Sequence, residues 1–447
     1  MAYRISGLSM LQRIGLAALP IGIALAAPLS AQNAAGGAGT QPAARDSSLR
    51  PWYDLRMMPD PILDQVLLFY LSEARHGMTD IGEVLDTASR VSEADEMSWT
   101  RQWFATAERV RGMAEAEARA GHPLGAGSAY LRASAYYRAA LHRHPVPSAP
   151  EIRQMAEKEV SSYLRAIALL SIPAQPVRIP YEGTTLPGYF FRAPQSASKA
   201  PLLIVHEGRD AWAEDVTFIA QEANARGWHC LLVDGPGMGQ TLRLQGLVLR
   251  PDWEKVITPV VDFALRQPGV DARRIALIGL SMGGALVPRA AAFEKRLKLL
   301  VVNPGVYEWS RIVTGFISER LPEIAGLPEK DPDTFNTVVN KVIEENPFMR
   351  WGMRDTMWKH GCTTPAQLML EMKKYTNRGF AERITAKTLV IDGEAEEFGQ
   401  ARELYDALAC PKDYLLFTAR ETAQLHVQTG ATAVSNERIF AWLEDNL

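Results

Sequence analysis

The sequence predicts an α/β fold. A mostly parallel sheet has helices on both faces, preceded by a helical N-terminal domain and interrupted by an inserted helical cap. Three observations carry the prediction. From residue 173 onward, short β-rich runs alternate with helical stretches. Residues 51–172 instead repeat apolar side chains at three- and four-residue spacings. The interval from Asn303 to Arg383, about 80 residues, is too long for a connection and has its own helical pattern.

The N-terminus comes first. Arg4 and Arg13 precede an apolar run from Ile14 to Leu29, and Ser30-Ala31-Gln32 follows. A basic start, an apolar centre and small residues before a polar stretch predict a secretory signal over residues 1–31. The run contains Pro20 and falls short of the roughly 20 residues a membrane span wants. Cleavage is therefore expected, with no stable membrane insertion afterwards and a periplasmic or secreted product. Residues 32–50 are rich in Ala, Gly, Ser and Gln and read as a flexible linker.

In the region 51–172, helices are expected over Ile81–Val91, Trp99–Ala120, Ala126–His142 and Ala149–Ile172. Gly77, Gly121-His-Pro123 and the proline-rich stretch Pro145–Pro150 break them. His142 and His144 flank Arg143 at a helix end, where solvated side chains are expected. In the region 173–447, strands are expected over Leu202–His206, Trp228–Val233, Arg274–Gly279, Leu297–Val302, Thr388–Asp392 and Asp413–Thr418. Helices over Glu214–Arg226, Trp253–Gln267, Gly283–Phe293 and Gly399–Leu408 lie between them, and Ala433–Leu447 closes the chain. The cap covers about residues 304–383. Its Tyr307, Trp309, Trp351, Trp358 and Tyr375 are aromatic surface that could face a pocket, although core packing is the default for each.

Composition limits the functions to consider. With 48 Lys+Arg against 51 Asp+Glu, the chain has no basic excess for nucleic acid. Cys230, Cys362 and Cys410 are too few and too scattered for a disulfide framework or a zinc cluster. No metal and no organic cofactor is expected. The expected partner is a small-molecule substrate.

The chemistry concentrates at Ser281. Arg274-Ile-Ala-Leu-Ile-Gly-Leu-Ser281-Met-Gly283-Gly284 reads as strand, sharp turn and helix start, and Gly-x-Ser-x-Gly in that context is a nucleophile elbow. A serine hydroxyl needs a base. Among the histidines, His426 lies between the last strand and the terminal helix, where that base belongs. The third member, an acid, should follow the preceding strand. Asp392, Glu394, Glu396 and Glu397 all lie there. Position a few residues past Gly393 selects Glu396, with the others left open. The chain order serine, acid, histidine fits this sheet architecture and neither the chymotrypsin nor the subtilisin order. Oxyanion donors are expected from the backbone N–H groups of Met282 and Arg209. Asp210, beside them, is either a turn residue or a carboxylate that orients or protonates substrate. Asp234-Gly-Pro-Gly-Met-Gly239 lacks the spacing of a phosphate loop and reads as a tight turn shaping the same pocket.

Four features together resemble one family. They are Tyr130-Leu-Arg-Ala-Ser-Ala-Tyr-Tyr-Arg138, the Asp-Gly-Pro-Gly-Met-Gly loop, Gly-Leu-Ser-Met-Gly-Gly, and Leu425-His426. On these, residues about 95–447 resemble the α/β-hydrolases related to 2,6-dihydroxypseudooxynicotine hydrolase, fungal polyketide-shortening hydrolases and FrsA-type esterases. The resemblance implies an α/β-hydrolase fold, a Ser281–Glu396–His426 triad, and an N-terminal lid domain that helps close the active site. It implies that Asp210 matches a functional carboxylate of the C–C hydrolase member, and that the chain forms a homodimer. The acid departs from the family by being Glu where Asp is usual. The expected activity is hydrolysis of a carboxylic ester of a small, aromatic or polyketide-like substrate. C–C hydrolysis of a β-diketone-like substrate is the alternative. A non-catalytic binding protein on the same scaffold is a further one.

Overall fold

The computed structural model describes residues 55–447, except residues 93, 195–198 and 321. The expected signal and linker lie outside the described residues.

The helical region begins with α1 (Pro61–Ser72), which sequence periodicity had not marked. Its start is nonetheless written locally: Asp60 caps it by accepting from the Ile62 and Leu63 N–H groups, and Pro61 occupies the first turn. Then follow α2 (Ile81–Ser89), α3 (Ser98–Arg119), α4 (Pro123–His142) and α5 (Pro150–Leu169). The last three agree with the expected spans to within a few residues.

The sheet follows: β1 (Ala174–Tyr181), β2 (Thr184–Phe191), β3 (Ala200–His206), α6 (Thr217–Ala225), β4 (His229–Val233), α7 (Gly239–Gln245), α8 (Glu254–Leu265), β5 (Val270–Leu280), α9 (Gly283–Ala291) and β6 (Leu299–Asn303). The insertion holds α10 (Trp309–Arg320), α11 (Leu327–Lys330), α12 (Pro332–Glu345), α13 (Pro347–Lys359) and α14 (Pro365–Met372). The chain then returns through β7 (Lys387–Gly393), α15 (Ala401–Ala407), β8 (Lys412–Phe417) and α16 (Thr432–Asn446).

Among the described residues the sheet has eight strands in the order β1-β2-β4-β3-β5-β6-β7-β8. The pairs β1–β2 and β2–β4 are antiparallel and the rest parallel. The hairpin β1–β2 had not been expected, because Pro176, Pro180, Pro187 and Gly188 obscure its pattern. An edge strand tolerates proline, and β1 is an edge. At Gly188 a Cβ would lie 2.4 Å from the Leu232 carbonyl oxygen, so the close approach of β4 requires glycine.

Strand alternation sends side chains to two cores. Leu203 and Val205 face one side and pack with Leu67, Trp99, Trp103, Tyr136 and Phe440. Leu202 and Ile204 face the other and pack with Val256, Leu286, Trp309, Phe335 and Met353. The N-terminal helices thus complete the core on one face, and the insertion extends the core on the other. Charge also fastens the N-terminal helices. Arg138 on α4 donates to Glu159 on α5 at 2.7 Å and forms an ion pair with Asp215, in the segment after β3. All three side chains are buried.

Candidate active site

The elbow is built by backbone strain and close packing. Ser281 sits at φ +54°, a conformation an L-residue rarely adopts, and its N–H is tied to the Asn303 carbonyl at 2.7 Å. Glycine is obligatory on both sides. A Cβ at Gly279 would lie 2.4 Å from the Gly283 carbonyl oxygen, and one at Gly283 would lie 2.8 Å from those of His206 and Glu207. The hydroxyl is thereby presented at the carboxyl end of β5, where open α/β sheets bind ligands.

His426 lies in a short turn after β8. Its Nε2 is 2.9 Å from Ser281 Oγ, and its Nδ1 is 2.9 Å from both Glu396 carboxylate oxygens. The turn is pinned by a reciprocal amide pair. Asn303 Nδ2 donates to Gln428 Oε1 at 2.7 Å, and Gln428 Nε2 returns a bond at 3.2 Å. Phe398 packs on the imidazole at a ring separation of 4.6 Å and is itself backed by Trp309. The Glu396 side chain is 2% exposed, so its charge meets the imidazole largely unscreened. Burial alone would lower the His426 pKa, but the charge and hydrogen bond of Glu396 outweigh it and hold it above the usual imidazole value.

The other acids of that loop go elsewhere. Asp392 accepts from the Tyr414 hydroxyl and the Gly393 N–H, turned sideways into the sheet. Glu394 accepts from the Ala419 N–H near the surface. Glu397 accepts from Gln65 on α1 at 3.1 Å, and burial pushes its pKa up to about 7.

Beside the serine runs the loop after β3. A Cβ at Gly208 would lie 2.6 Å from Ser281 Cβ and 3.1 Å from Oγ, so the main chain leading into Arg209 passes against that serine. Met282 follows the serine at the start of α9. The Arg209 side chain turns away to the insertion, donating to Asp355 Oδ2 at 2.6 Å and Thr356 Oγ1 at 2.8 Å. Asp210 is clasped by Arg209 and by Lys359. Burial opposes its charge, but these cations win and hold the carboxyl well below the usual range. Asp210 is thus held between the loop after β3 and the insertion, in the wall of the cavity that Ser281 opens into.

Ser281 and His426 open into a cavity of about 210 Å³. Its wall is mainly apolar. Ile62, Val66 and Phe69 come from α1, Phe218 from α6, and Ile439 and Phe440 from α16. None of the five aromatic residues singled out in the insertion lines it. Trp351 instead borders a second, larger cavity of about 500 Å³ between the N-terminal helices and the insertion, with Ile62 shared between the two walls. The larger cavity contains neither Ser281 nor His426, so the smaller one is the chemically equipped site. His142, expected as a solvated helix end, lines the smaller cavity near Asp210. Burial pushes its pKa down to about 4, leaving the imidazole neutral. His144 is buried, accepting from the Val146 N–H. The Asp234 loop acts one layer back. Asp234 accepts from the Ala213 and Gln240 N–H groups, fixing the segment whose Ala211, Asp215 and Val216 line the cavity. Helix α1 was the unexpected contributor. Its Asp-Pro start followed by an apolar run was the signal that could have found it.

The sequence pattern of the alpha/beta hydrolase family matches residues 185–433. Hydrolase acrC of Aspergillus aculeatus is 31% identical over 428 residues, covering 87% of this chain and 97% of its own. The 20-hydroxy-prefusarin hydrolase FUS2 of Gibberella moniliformis is 30% identical, covering 82% of this chain and 91% of its own. The crystal structure of 2,6-dihydroxy-pseudo-oxynicotine hydrolase superposes with a TM-score of 0.64 at 19% identity. It covers 84% of this chain and 95% of that one, a likeness of fold.

Proposed function

The chain belongs to the alpha/beta hydrolase family, and on that premise we propose that it is a serine hydrolase cleaving a carboxylic ester of a small, largely apolar substrate. The observation that carries the reading is the unbroken contact from Ser281 Oγ through His426 to Glu396, 2.9 Å at each step. With Glu396 accepting from Nδ1–H, the imidazole presents its Nε2 lone pair to the serine hydroxyl. Ser281 attacks the substrate carbonyl as its proton passes to Nε2. The Met282 and Arg209 N–H groups stabilise the developing oxyanion. His426 then returns the proton to the leaving alkoxide, and water clears the acyl-enzyme by the same sequence reversed. Asp210, paired with Arg209 and Lys359, keeps the Arg209 loop in place, and C–C cleavage of a β-diketone-like substrate is the alternative reading.

From the N-terminal signal pattern we also propose that the mature protein is periplasmic or secreted. N-terminal sequencing of secreted material tests that part by itself. The chemistry is tested by intact-mass and peptide mapping after fluorophosphonate treatment. A single adduct on Ser281, absent in Ser281→Ala and slowed in His426→Ala, is the expected result. A folded protein that takes no adduct would favour the binding-protein alternative.

A further inference from the structure

The larger cavity, between the N-terminal helices and the insertion, holds a cation that the protein leaves incompletely paired. Arg143 follows the last residue of α4 and lines that cavity. Its guanidinium rests on the Phe348 and Trp351 rings, 4.7 and 4.5 Å from their centroids, which fixes its plane. Nη1 is turned to Asp60, 3.6 Å away, too far for a hydrogen bond. Nε and Nη2 make no hydrogen bond among the described residues either, but unlike Nη1 they keep accessible surface. The side chain is 15% exposed. Burial works against its charge and Asp60 offsets that only in part, so its pKa lies below the usual guanidinium value.

The acids of the same wall already have partners or face water. Asp60 Oδ1 caps α1, Asp95 pairs with Arg101, and Glu96 pairs with Arg350. Glu345 is exposed. A single added negative charge finds its counter-ion in Arg143, whereas a second would have only these acids as neighbours. Pro61, Val91, Pro145 and Phe348 supply apolar surface beside the guanidinium, and none of them is fully buried. The volume of about 500 Å³ is that of a small-molecule pocket.

We propose that this cavity binds an amphipathic monocarboxylate, its carboxylate taking the Nε and Nη2 edge of Arg143 in bidentate fashion and its hydrocarbon body lying on the apolar wall. The site is separate from Ser281, and the inference goes beyond the hydrolase reading without depending on it.

The test is calorimetry on the full-length protein at pH 8 with three probes that share one hydrocarbon body: 4-phenylbutanoate, the neutral 4-phenylbutanamide and the dianionic 4-phenylbutyl phosphate. The carboxylate should bind the wild type about 10-fold or more tightly than the amide, the scale of a charge-assisted hydrogen bond, and more tightly than the phosphate. Its advantage over the amide should fall to about 2-fold or less in Arg143→Met, which keeps a stem on the rings but removes the fork. No binding of the carboxylate, equal affinity for carboxylate and amide in the wild type, or an undiminished ratio in Arg143→Met would overturn the site. Tighter binding of the phosphate would overturn the monoanion class. If Arg143→Met does not fold, a crystal structure of the wild type with 4-phenylbutanoate decides. A carboxylate seated on Arg143 supports the proposal, and one seated elsewhere, beside Ser281 included, sinks it. Fluorophosphonate labelling of Ser281 tests the hydrolase reading by itself, so either idea can fail alone.

Discussion

Lys359, the last residue of α13 in the insertion, forms an ion pair with Asp210, two residues past the glycine that packs on Ser281. The lysine side chain is 1% exposed and also holds Asp355 at 2.9 Å, which in turn binds Arg209. The insertion is therefore coupled by buried charge to the loop beside Ser281.

Removing that charge should be felt in both stability and catalysis. Lys359→Met leaves Asp210 and Asp355 sharing Arg209 alone. Breaking a buried pair from one side costs about 3–5 kcal/mol, and the partial exposure of Asp210 places the expected loss at about 3 kcal/mol. Urea denaturation measures it. The rate of fluorophosphonate labelling at Ser281 should fall at the same time, because the Arg209 loop loses its anchor. Wild-type labelling in a destabilised variant would mean that the loop holds its position without the insertion.

The pH profile should report His426. Only the neutral imidazole can accept the serine proton, so kcat/KM rises as pH rises through its pKa. Glu396 holds that pKa above the ordinary value of about 6.5, which places the acid limb on the high side of that figure. In Glu396→Gln the anion is gone. The limb should move to lower pH while the plateau drops by about 10³–10⁴-fold. An acid limb that stays in place in the variant would assign it to another group.

Glu397 predicts a stability effect of opposite sign to that of an ordinary carboxylate. Burial raises its folded pKa to about 7, whereas in the unfolded chain it titrates near the model value of 4.5. Between these values the unfolded state has lost a proton that the folded state keeps, so stability falls as pH rises. Glu397→Gln removes this dependence. Its Tm relative to wild type should therefore increase from pH 5 to pH 8. A difference that is flat across that window would show that the carboxyl is better solvated than its contacts indicate.

Gly208 tests the packing beside Ser281. A Cβ there would lie 2.6 Å from Ser281 Cβ, and the elbow backbone cannot yield cheaply. Gly208→Ala should lower kcat/KM by about 100-fold or more, the scale seen when a catalytic geometry shifts by an ångström, with far-ultraviolet circular dichroism preserved. Full activity would mean that the loop moves aside without cost.

Much of the fold was legible because it depends on local spacing. The parallel strands are unbroken apolar runs, as expected of strands buried on both faces, and the helices between them show their own period. The hairpin at the sheet edge was hidden because proline and glycine are tolerated there. Helix α1 was hidden because only its cap, not its periodicity, announces it. Site residues were legible where chain order constrains them. Ser281 follows its strand and His426 precedes the last helix, so neither required distance information.

By itself, then, the sequence determined which elements form, in what order they come, and which loops carry a serine, four acids and a histidine. Only the tertiary structure decided which acid meets the imidazole. All four lie within a few residues, and side-chain direction, not spacing, sends Asp392 to Tyr414 and Glu396 to His426. It also decided that α1 walls the cavity, that His142 lines it, and that Arg209 reaches a helix 146 residues away. Such contacts arise when distant segments bury apolar faces together, and the charges that end up between them must then find partners.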